Sequence, residues 1–317
     1  MLYTIKSYRT GLLITSEDRG GLKSLYNGKN WKAWIKRIKH KKHTSDEIII
    51  DSKTKATAQR ALNLILGCLN LYSGDALISP NSYQLLAYRD EDIKSLPLDE
   101  KTRFLKSFST PNIPIACFIA AKASYRLKYI YAITKYNFSI TNCSISYMDL
   151  EPFRSEHISV SPYPDDHVLF CQAIVSAYSV IEELGFEIRA SQKTPSMIKG
   201  KWNPTVKKDL ENRMKKAGIN LNETLLWTLR GPKRKIELKK APRILSKYEW
   251  SKDLMVRDAP IELVDAIAYA SWLRSYVSSH KTKDITTVVS PYDVINVQHL
   301  SRRLILESLG FWRYKNN

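Results

Sequence analysis

The chain has 317 residues, of which 44% are hydrophobic and 10% aromatic, a composition that excludes an intrinsically disordered protein. No apolar run is long enough to span a bilayer, and the opening MLYTIKSYRT has no apolar core of the signal-peptide kind. We therefore expect a cytoplasmic protein without a membrane partner. A net charge of +19 is the strongest global feature.

The positive charge is concentrated in two segments. Residues 1–44 contain 11 Lys and Arg against two Asp and Glu, and residues 195–250 contain 15 against five, so the rest of the chain is neutral. Such clustering favours a surface that binds a polyanion, because each neutralised phosphate releases counterions. We predict nucleic acid, with RNA favoured, as the main partner. An acidic protein or a membrane surface is the alternative that this charge leaves open.

The first 44 residues are predicted to form a strand or hairpin followed by a helix. Residues 2–15 alternate and are rich in β-branched side chains, as in strands. In the stretch NWKAWIKRIKHKKH, residues 30–43, the apolar residues have helical spacing. This helix would present a basic face to nucleic acid, formed by Lys36, Arg37, Lys39, Lys41 and Lys42.

Buried helices are predicted for the next third of the chain. Residues 52–71 have a continuous apolar pattern that Gly74 would end. Further helices are predicted over residues 99–108 and 113–136. Residues 137–163 are rich in Ser, Thr and β-branched side chains and are predicted to be strands or loops.

Two long helices are predicted over residues 165–184 and 291–309. Each is preceded by Val-Ser-Pro-Tyr and followed by Leu-Gly-Phe, which are start and stop signals. A duplication or recurrent capping chemistry would explain the similarity equally. Glu182 and Glu183 precede the first stop, and we expect one of them to face inward and pair with an arginine.

The segment between these two helices combines basic loops with shorter helices. Helices are predicted over residues 205–217, from about Asn222, and over 261–278 with Asp258 as the N-cap. A turn over residues 229–235 carries Lys233, Arg234 and Lys235, which we predict to contact phosphates. The chain is thus predicted to be mainly α, a helical bundle with a minor β component near the N-terminus and the middle. We expect two domains, residues 1–150 and 151–317.

The familiar motifs of several enzyme classes are missing. The sequence has no GxxxxGK[ST], GxGxxG, HExxH or GxSxG motif, which removes the usual support for nucleotide hydrolysis, dinucleotide redox chemistry and zinc or serine hydrolysis. The four cysteines are widely separated and are predicted to be buried reduced thiols. We expect neither a metal nor a cofactor.

An arginine and a histidine remain as candidates for chemistry. Arg274 and His280 lie at the end of the helix predicted over residues 261–278. Metal-free RNA cleavage needs a group that transfers protons near neutral pH and a fixed cation that stabilises the phosphorane, which histidine and arginine can supply. The same pair would also fit a surface arginine followed by a histidine at a helix end, and Arg37 and His43 have the same spacing.

The C-terminal half resembles the HEPN superfamily of α-helical nucleic-acid-associated proteins. The resemblance lies in Arg274-Ser-Tyr-Val-Ser-Ser-His280, an arginine followed after four to six residues by a histidine, on a long helix among helices that could form a bundle. It covers residues 160–312 and implies a homodimer in which Arg274 and His280 of two subunits meet and cleave RNA without a metal to a 2′,3′-cyclic phosphate. Ser275 departs from the Asn, Asp or His that many members carry after the arginine.

The sequence is compatible with two functions. The first is a HEPN-type endoribonuclease acting as a toxin or phage-defence effector, with an antitoxin or a complex subunit as a further candidate partner. The second is a non-catalytic nucleic-acid-binding or scaffold subunit of a larger complex. In both, Arg302 and Arg303 are predicted to contact phosphates, with His299 beside them.

Overall fold

A computed structural model of the chain describes residues 2–9, 25–39, 44–74, 86–87, 113–143, 164–230, 256–279 and 289–312. Within these ranges the chain is mainly α-helical with a minor β component, which confirms the predicted fold class. It divides into two compact units, residues 1–137 and 138–317. The boundary predicted after residue 150 lies outside the described ranges.

The first unit contains an antiparallel sheet and two helices, and it holds most of a third helix. The described strands are β1 (Leu2–Arg9), β2 (Tyr26–Gly28), β3 (Trp31–Lys39), β4 (Thr44–Ser52) and β5 (Leu86–Ala87). Their order in the sheet is β2-β3-β4-β1-β5. The helices are α1 (Lys55–Ser73), α2 (Ile113–Ala123) and α3 (Leu127–Asn142), the last of which crosses the boundary between the units.

The basic segment predicted as a helix over residues 30–43 is instead a strand, so that prediction is wrong. Residues 31–39 form β3 and pair along their whole length with β4. Trp31, Ala33 and Ile35 are buried while Lys32 is exposed, which is the alternation of a strand. The apolar positions of this segment fit both the 3.6-residue period of a helix and the two-residue period of a strand. Pairing with β4, whose Ile48, Ile49 and Ile50 are buried, decides between them.

Helix α1 confirms the helix predicted over residues 52–71 and packs against β4. The Oγ1 of Thr54 caps its start by accepting the Thr57 N–H, and Gly74 ends it in the left-handed conformation with φ 80°. At Gly67 the helix approaches α3 closely, since the Asn137 side chain donates to the Gly67 carbonyl (3.0 Å) and accepts from Asn70 Nδ2 (2.8 Å). A larger residue would be crowded there, because an added Cβ would lie 3.0 Å from Asn137 Nδ2.

The helix predicted over residues 113–136 is two helices, α2 and α3, separated by a break at residues 124–126. The Ser124 hydroxyl donates to the Ala121 carbonyl (2.7 Å) and accepts the backbone N–H of Lys29 (2.7 Å). These bonds replace the continuation of the helix, because they hold the end of α2 against the β2–β3 hairpin.

The second unit is built around one buried helix. It begins with the end of α3. Its other described helices are α4 (Pro164–Leu184), α5 (Pro204–Lys216), α6 (Leu263–Ser279) and α7 (Pro291–Ser308), and its described strands are β6 (Met197–Ile198), β7 (Lys201–Trp202), β8 (Thr224–Arg230) and β9 (Val256–Glu262). Helix α7 is buried along almost its whole length and packs against α4, α6 and β8. Such burial on all sides is typical of the central helix of a unit.

The predicted bounds of α4 and α7 are confirmed, and so are their stop signals. Gly185 and Gly310 have φ values of 84° and 74°. The N–H of Phe186 donates to the Ile181 carbonyl (2.9 Å), and the N–H of Phe311 donates to the Leu306 carbonyl (2.8 Å). Both helices therefore end in the same left-handed glycine motif.

Two predictions between these helices are wrong. The helix predicted from about Asn222 is the strand β8, and Asp258 lies within β9 instead of capping a helix. The register places Thr228 opposite Asp258, and the Thr228 hydroxyl donates to the Asp258 carboxylate (2.7 Å). The helix predicted over residues 205–217 is confirmed as α5. The one predicted over residues 99–108 lies outside the described ranges.

In the part of the chain that the structure describes, no helix is both long and apolar enough to cross a membrane.

Candidate functional site

Arg274 lies near the end of α6, at the edge between buried and exposed positions. The neighbouring Leu273, Tyr276 and Val277 are buried in the second unit, whereas Ser275 and Ser278 are exposed. This spacing leaves the guanidinium of Arg274 at the surface, with 43% of its side chain exposed. The Ser278 hydroxyl donates to the Arg274 carbonyl (2.8 Å), one turn earlier in the same helix.

Two side chains of α4 surround the Arg274 guanidinium. Its Nη2 lies 3.6 Å from Oε1 of Glu182, which confirms the expected pairing of a glutamate at this helix end with an arginine. The expectation that this glutamate faces inward is wrong, since 39% of the Glu182 side chain is exposed. Its Cζ lies 6.0 Å from the centre of the Tyr178 ring. Glu182 and Tyr178 are four residues apart on α4 and therefore face the same side. The guanidinium is held by two contacts and still faces solvent.

Burial raises the pKa of the Tyr178 phenol, and a hydrogen bond with the Ser271 side chain and the charge of Arg274 act against that rise. The phenol therefore remains protonated at neutral pH. Tyr178 and Ser271 were not anticipated from the sequence, because nothing local indicates that α4 and α6 bring them together.

The structure places Arg274 but does not describe His280. Helix α6 is described to Ser279, and His280 follows it directly in the sequence but lies outside the described residues. An uninterrupted helix would separate the two side chains by about 120° and about 9 Å along the axis. The pairing of Arg274 with His280 stays a prediction.

Arg303 does not lie on a surface that can contact nucleic acid. Its side chain is fully buried, its Nη2 pairs with Glu223 (2.9 Å) and its Nε pairs with Glu307 (3.2 Å). It also donates to the Thr224 carbonyl. The prediction that Arg303 contacts phosphates is therefore wrong, because its side chain is fully buried and its guanidinium pairs with Glu223 and Glu307.

Arg302 is partly exposed, and its guanidinium lies 5.7 Å from the centre of the Trp312 ring. His299, one turn earlier on α7, is half-buried. The pKa of its imidazole is lowered to about 4, chiefly by burial and further by the positive charge of Arg302, while the negative charge of Asp258 acts to raise it. His299 is therefore neutral at pH 7 and adds no charge for phosphate binding.

Of the remaining residues predicted to bind nucleic acid, the structure describes only the three that lie in β3. Strand β3 sets Lys36 opposite Glu47, Arg37 opposite Asp46 and Lys39 opposite Thr44 in its register with β4. Beyond the described residues lie Lys41, Lys42, Lys233, Arg234 and Lys235. Their contact with nucleic acid stays a prediction.

The tryptophans of the basic segments serve mainly in packing. Trp31 is 5% exposed and belongs to the core of the first unit. Trp202 is partly buried, and its Nε1 donates to the Asp265 carboxylate (2.8 Å). The Trp31 ring is therefore too buried to stack on a base.

The predicted burial of the cysteines is confirmed for Cys68, Cys117 and Cys143, whereas Cys171 is half-buried, and none of the four forms a disulfide in the structure. Burial raises the pKa of Cys117 and of Cys143 to about 12, so these thiols are not nucleophilic at neutral pH. Among the residues that the structure describes, no three His, Cys, Asp or Glu side chains converge as a metal site would require.

Comparison of the chain with protein-family models, with curated proteins and with solved structures found no match.

Proposed function

We propose that the second unit is a metal-independent endoribonuclease of the HEPN type, with Arg274 and His280 as its catalytic residues. The observation that carries the proposal is the state of Arg274: a guanidinium held by Glu182 and Tyr178 near the end of α6, still 43% exposed, with His280 six residues further on. A cation that is fixed in place before the substrate arrives can stabilise charge that develops in the transition state without reorganising.

The proposed reaction uses the RNA's own 2′-hydroxyl. Its oxygen attacks the adjacent phosphorus, the O2′–P bond forms and the P–O5′ bond breaks, giving a 2′,3′-cyclic phosphate and a 5′-hydroxyl. His280 transfers the proton that leaves the 2′-hydroxyl or the one that the departing oxygen receives. Arg274 donates to the non-bridging phosphoryl oxygens as their negative charge grows.

The biological setting belongs to the same proposal. Two subunits of a homodimer would bring their Arg274 and His280 residues to one interface, in the cytoplasm, where the enzyme would act as a toxin or phage-defence effector under the control of an antitoxin or another partner. Sedimentation of the purified protein as a monomer at the concentration of a cleavage assay would argue against the shared interface.

The test is cleavage of an end-labelled single-stranded RNA in EDTA. The wild-type protein is expected to release fragments ending in a cyclic phosphate. Arg274→Ala should slow cleavage by at least about 100-fold, and His280→Ala by a similar factor. Arg274→Lys should lie between wild type and Arg274→Ala, because lysine keeps the charge but loses the planar fork.

Arg189→Ala is the matched control, since Arg189 is also exposed and pairs with a glutamate, Glu187, at 2.7 Å. It should cleave at the wild-type rate. Undiminished cleavage by both Arg274→Ala and His280→Ala would remove the proposal.

The alternative, a non-catalytic nucleic-acid-binding or scaffold subunit, is favoured by one observation. The first unit, residues 1–137, carries 23 Lys and Arg against 11 Asp and Glu, although Arg274 and His280 belong to the other unit. A protein of this kind would bind RNA with a steep salt dependence and show no turnover. Binding without any cleavage by the wild type would favour it.

A further inference from the structure

The first unit contains an open cleft of about 460 Å³. It lies between the β2–β3 hairpin, the end of β4 and the connection from α2 to α3, and the side chains that matter below are those of Asn27, Trp31, Lys32, Lys53 and Tyr125. The volume is within the range of about 300–1,000 Å³ that is usual for sites binding small molecules.

The two walls of the cleft are held together by specific contacts. The N–H of Lys29 in the hairpin turn donates to the Ser124 hydroxyl (2.7 Å), and the Tyr125 hydroxyl donates to the Asn27 carbonyl (3.5 Å). Behind the cleft, the rings of Tyr26 and Phe118 pack edge to face at 4.8 Å. These contacts fix the position of the hairpin relative to the connection between α2 and α3.

The hairpin side of the cleft requires particular residues. The Trp31 indole lies so close to Gly28 that a Cβ there would be 2.0 Å from the ring. Asn30 has a φ of 67°, in the left-handed region that asparagine tolerates better than most residues. Gly28 and Asn30 thus let a tight hairpin carry its polar side chains to the rim.

The chemistry of the cleft is aromatic and basic. Tyr125 is 58% exposed, so much of its ring is open to solvent at the edge of the cleft. Lys32 and Lys53 are exposed, and Asp51 is the one acid among the residues that line the cleft. The excess of 23 Lys and Arg over 11 Asp and Glu in residues 1–137 gives this unit a positive net charge, which favours an anionic ligand.

We propose that this cleft binds one nucleotide of a single-stranded RNA, with the base stacked on Tyr125 and the adjoining phosphates beside Lys32 and Lys53. Exposed aromatic rings between basic side chains are how proteins hold unpaired nucleic acid, because every base offers a flat face and every linkage a charge. Asn27 and Asn30, both exposed, can bond to the base edge. The inference rests on the proposed contact with RNA but not on cleavage at Arg274.

The experiment measures binding of a fluorescent 12-nucleotide RNA to the full-length protein. The RNA is 2′-O-methylated so that its 2′-oxygen cannot attack, which separates binding from cleavage. Tyr125→Ala should weaken binding by about 5- to 100-fold, whereas Tyr125→Phe should stay within about 3-fold because the ring remains. Tyr131→Ala is the control, since Tyr131 is 53% exposed but does not line the cleft.

Salt dependence tests the two lysines. Each phosphate contact that is lost lowers the slope of log K against log salt by about 0.7 for a single strand, so Lys32→Gln with Lys53→Gln should lower it by about 1.4. Lys55→Gln, at an exposed position two residues beyond Lys53, should leave the slope unchanged. The same sequence as a duplex should bind at least about 10-fold more weakly, because paired bases cannot stack on Tyr125.

The outcomes separate this inference from the proposed function. No binding of the RNA by the wild type would overturn both. Wild-type affinity in the Tyr125→Ala and double lysine variants, or equal affinity for the duplex, would overturn the assignment of the cleft alone. Binding of a poly-glutamate peptide that depends on Tyr125 as strongly as RNA binding does would assign the cleft to an acidic protein instead.

Discussion

The guanidinium of Arg274 on α6 lies 3.6 Å from the carboxylate of Glu182 on α4, and both side chains are about two-fifths exposed. At that exposure an ion pair contributes only about 0–1 kcal/mol to stability. We therefore expect the pair to act mainly on the orientation of Arg274, whose guanidinium lies between Glu182 and the Tyr178 ring.

Glu182→Gln should separate orientation from stability. The variant should unfold within about 1 kcal/mol of the wild type. Its kcat for RNA cleavage should fall about 3- to 10-fold, because the guanidinium is less well fixed, while its KM should fall as well, because a negative charge next to the phosphate is gone. Steady-state kinetics in EDTA check this, and an unchanged kcat would show that Glu182 does not position Arg274.

Arg303→Met should strongly destabilise the second unit. The substitution leaves the buried Glu307 carboxylate and the partly buried Glu223 without their cation, which costs about 3–5 kcal/mol. Urea unfolding measures the loss, and Glu307→Gln added to Arg303→Met should recover part of it. Arg302→Met is the control and should cost less than about 1 kcal/mol. Equal losses at the two arginines would contradict the buried network.

Stability should fall between pH 6.5 and pH 4 in a way that depends on His299. The pKa of His299 is lowered from 6.5 to about 4 in the folded protein, so the unfolded chain binds a proton that the folded chain refuses in that window. The part of the free energy of unfolding that depends on neutral His299 is fully present above pH 6.5. It is lost as the pH falls through 4, and the total loss is up to about 3 kcal/mol.

The measurement for His299 is the free energy of unfolding of wild type and His299→Gln across this range. The difference between the two proteins should change with pH, because glutamine does not titrate. A constant difference would show that His299 titrates normally.

Gly67→Ala should destabilise the first unit by up to about 2 kcal/mol. Alanine favours a helix by about 1 kcal/mol, but its Cβ would lie 3.0 Å from Asn137 Nδ2 and 3.3 Å from Ile133 Cγ2, and overpacking costs about 1–3 kcal/mol. Thermal unfolding checks the result against Lys55→Ala, an exposed position in the same helix. A raised Tm for Gly67→Ala would mean that α1 and α3 can separate without cost.

Local signals were sufficient where a helix carries its own start and stop. The Leu-Gly-Phe sequences after α4 and α7 predicted both ends, because a left-handed glycine and the two following bonds need nothing beyond the adjoining turn. Gly74 after α1 is a third case.

Local sequence patterns predicted the wrong element where pairing with a distant segment determines the structure. Residues 31–39 fit a helix by spacing, but only pairing with β4 could show that they form a strand. The same holds for Thr224–Arg230, which pairs with Val256–Glu262 across more than 20 intervening residues. For the candidate site, the sequence indicated Arg274 but could not indicate Tyr178 and Ser271, which reach it from the packing of α4 and α6.

The sequence by itself determined the mainly helical character of the chain, the ends of its best-bounded helices and a strong positive charge, because propensity, capping and charge are properties of short segments. Only the tertiary structure decided which arginine is exposed and can contact a ligand. Arg303 is buried against Glu223 and Glu307, whereas Arg274 stays half-exposed beside Glu182. Neighbouring residues in the sequence do not reveal this difference, since it depends on which helices pack together and on how much water they exclude.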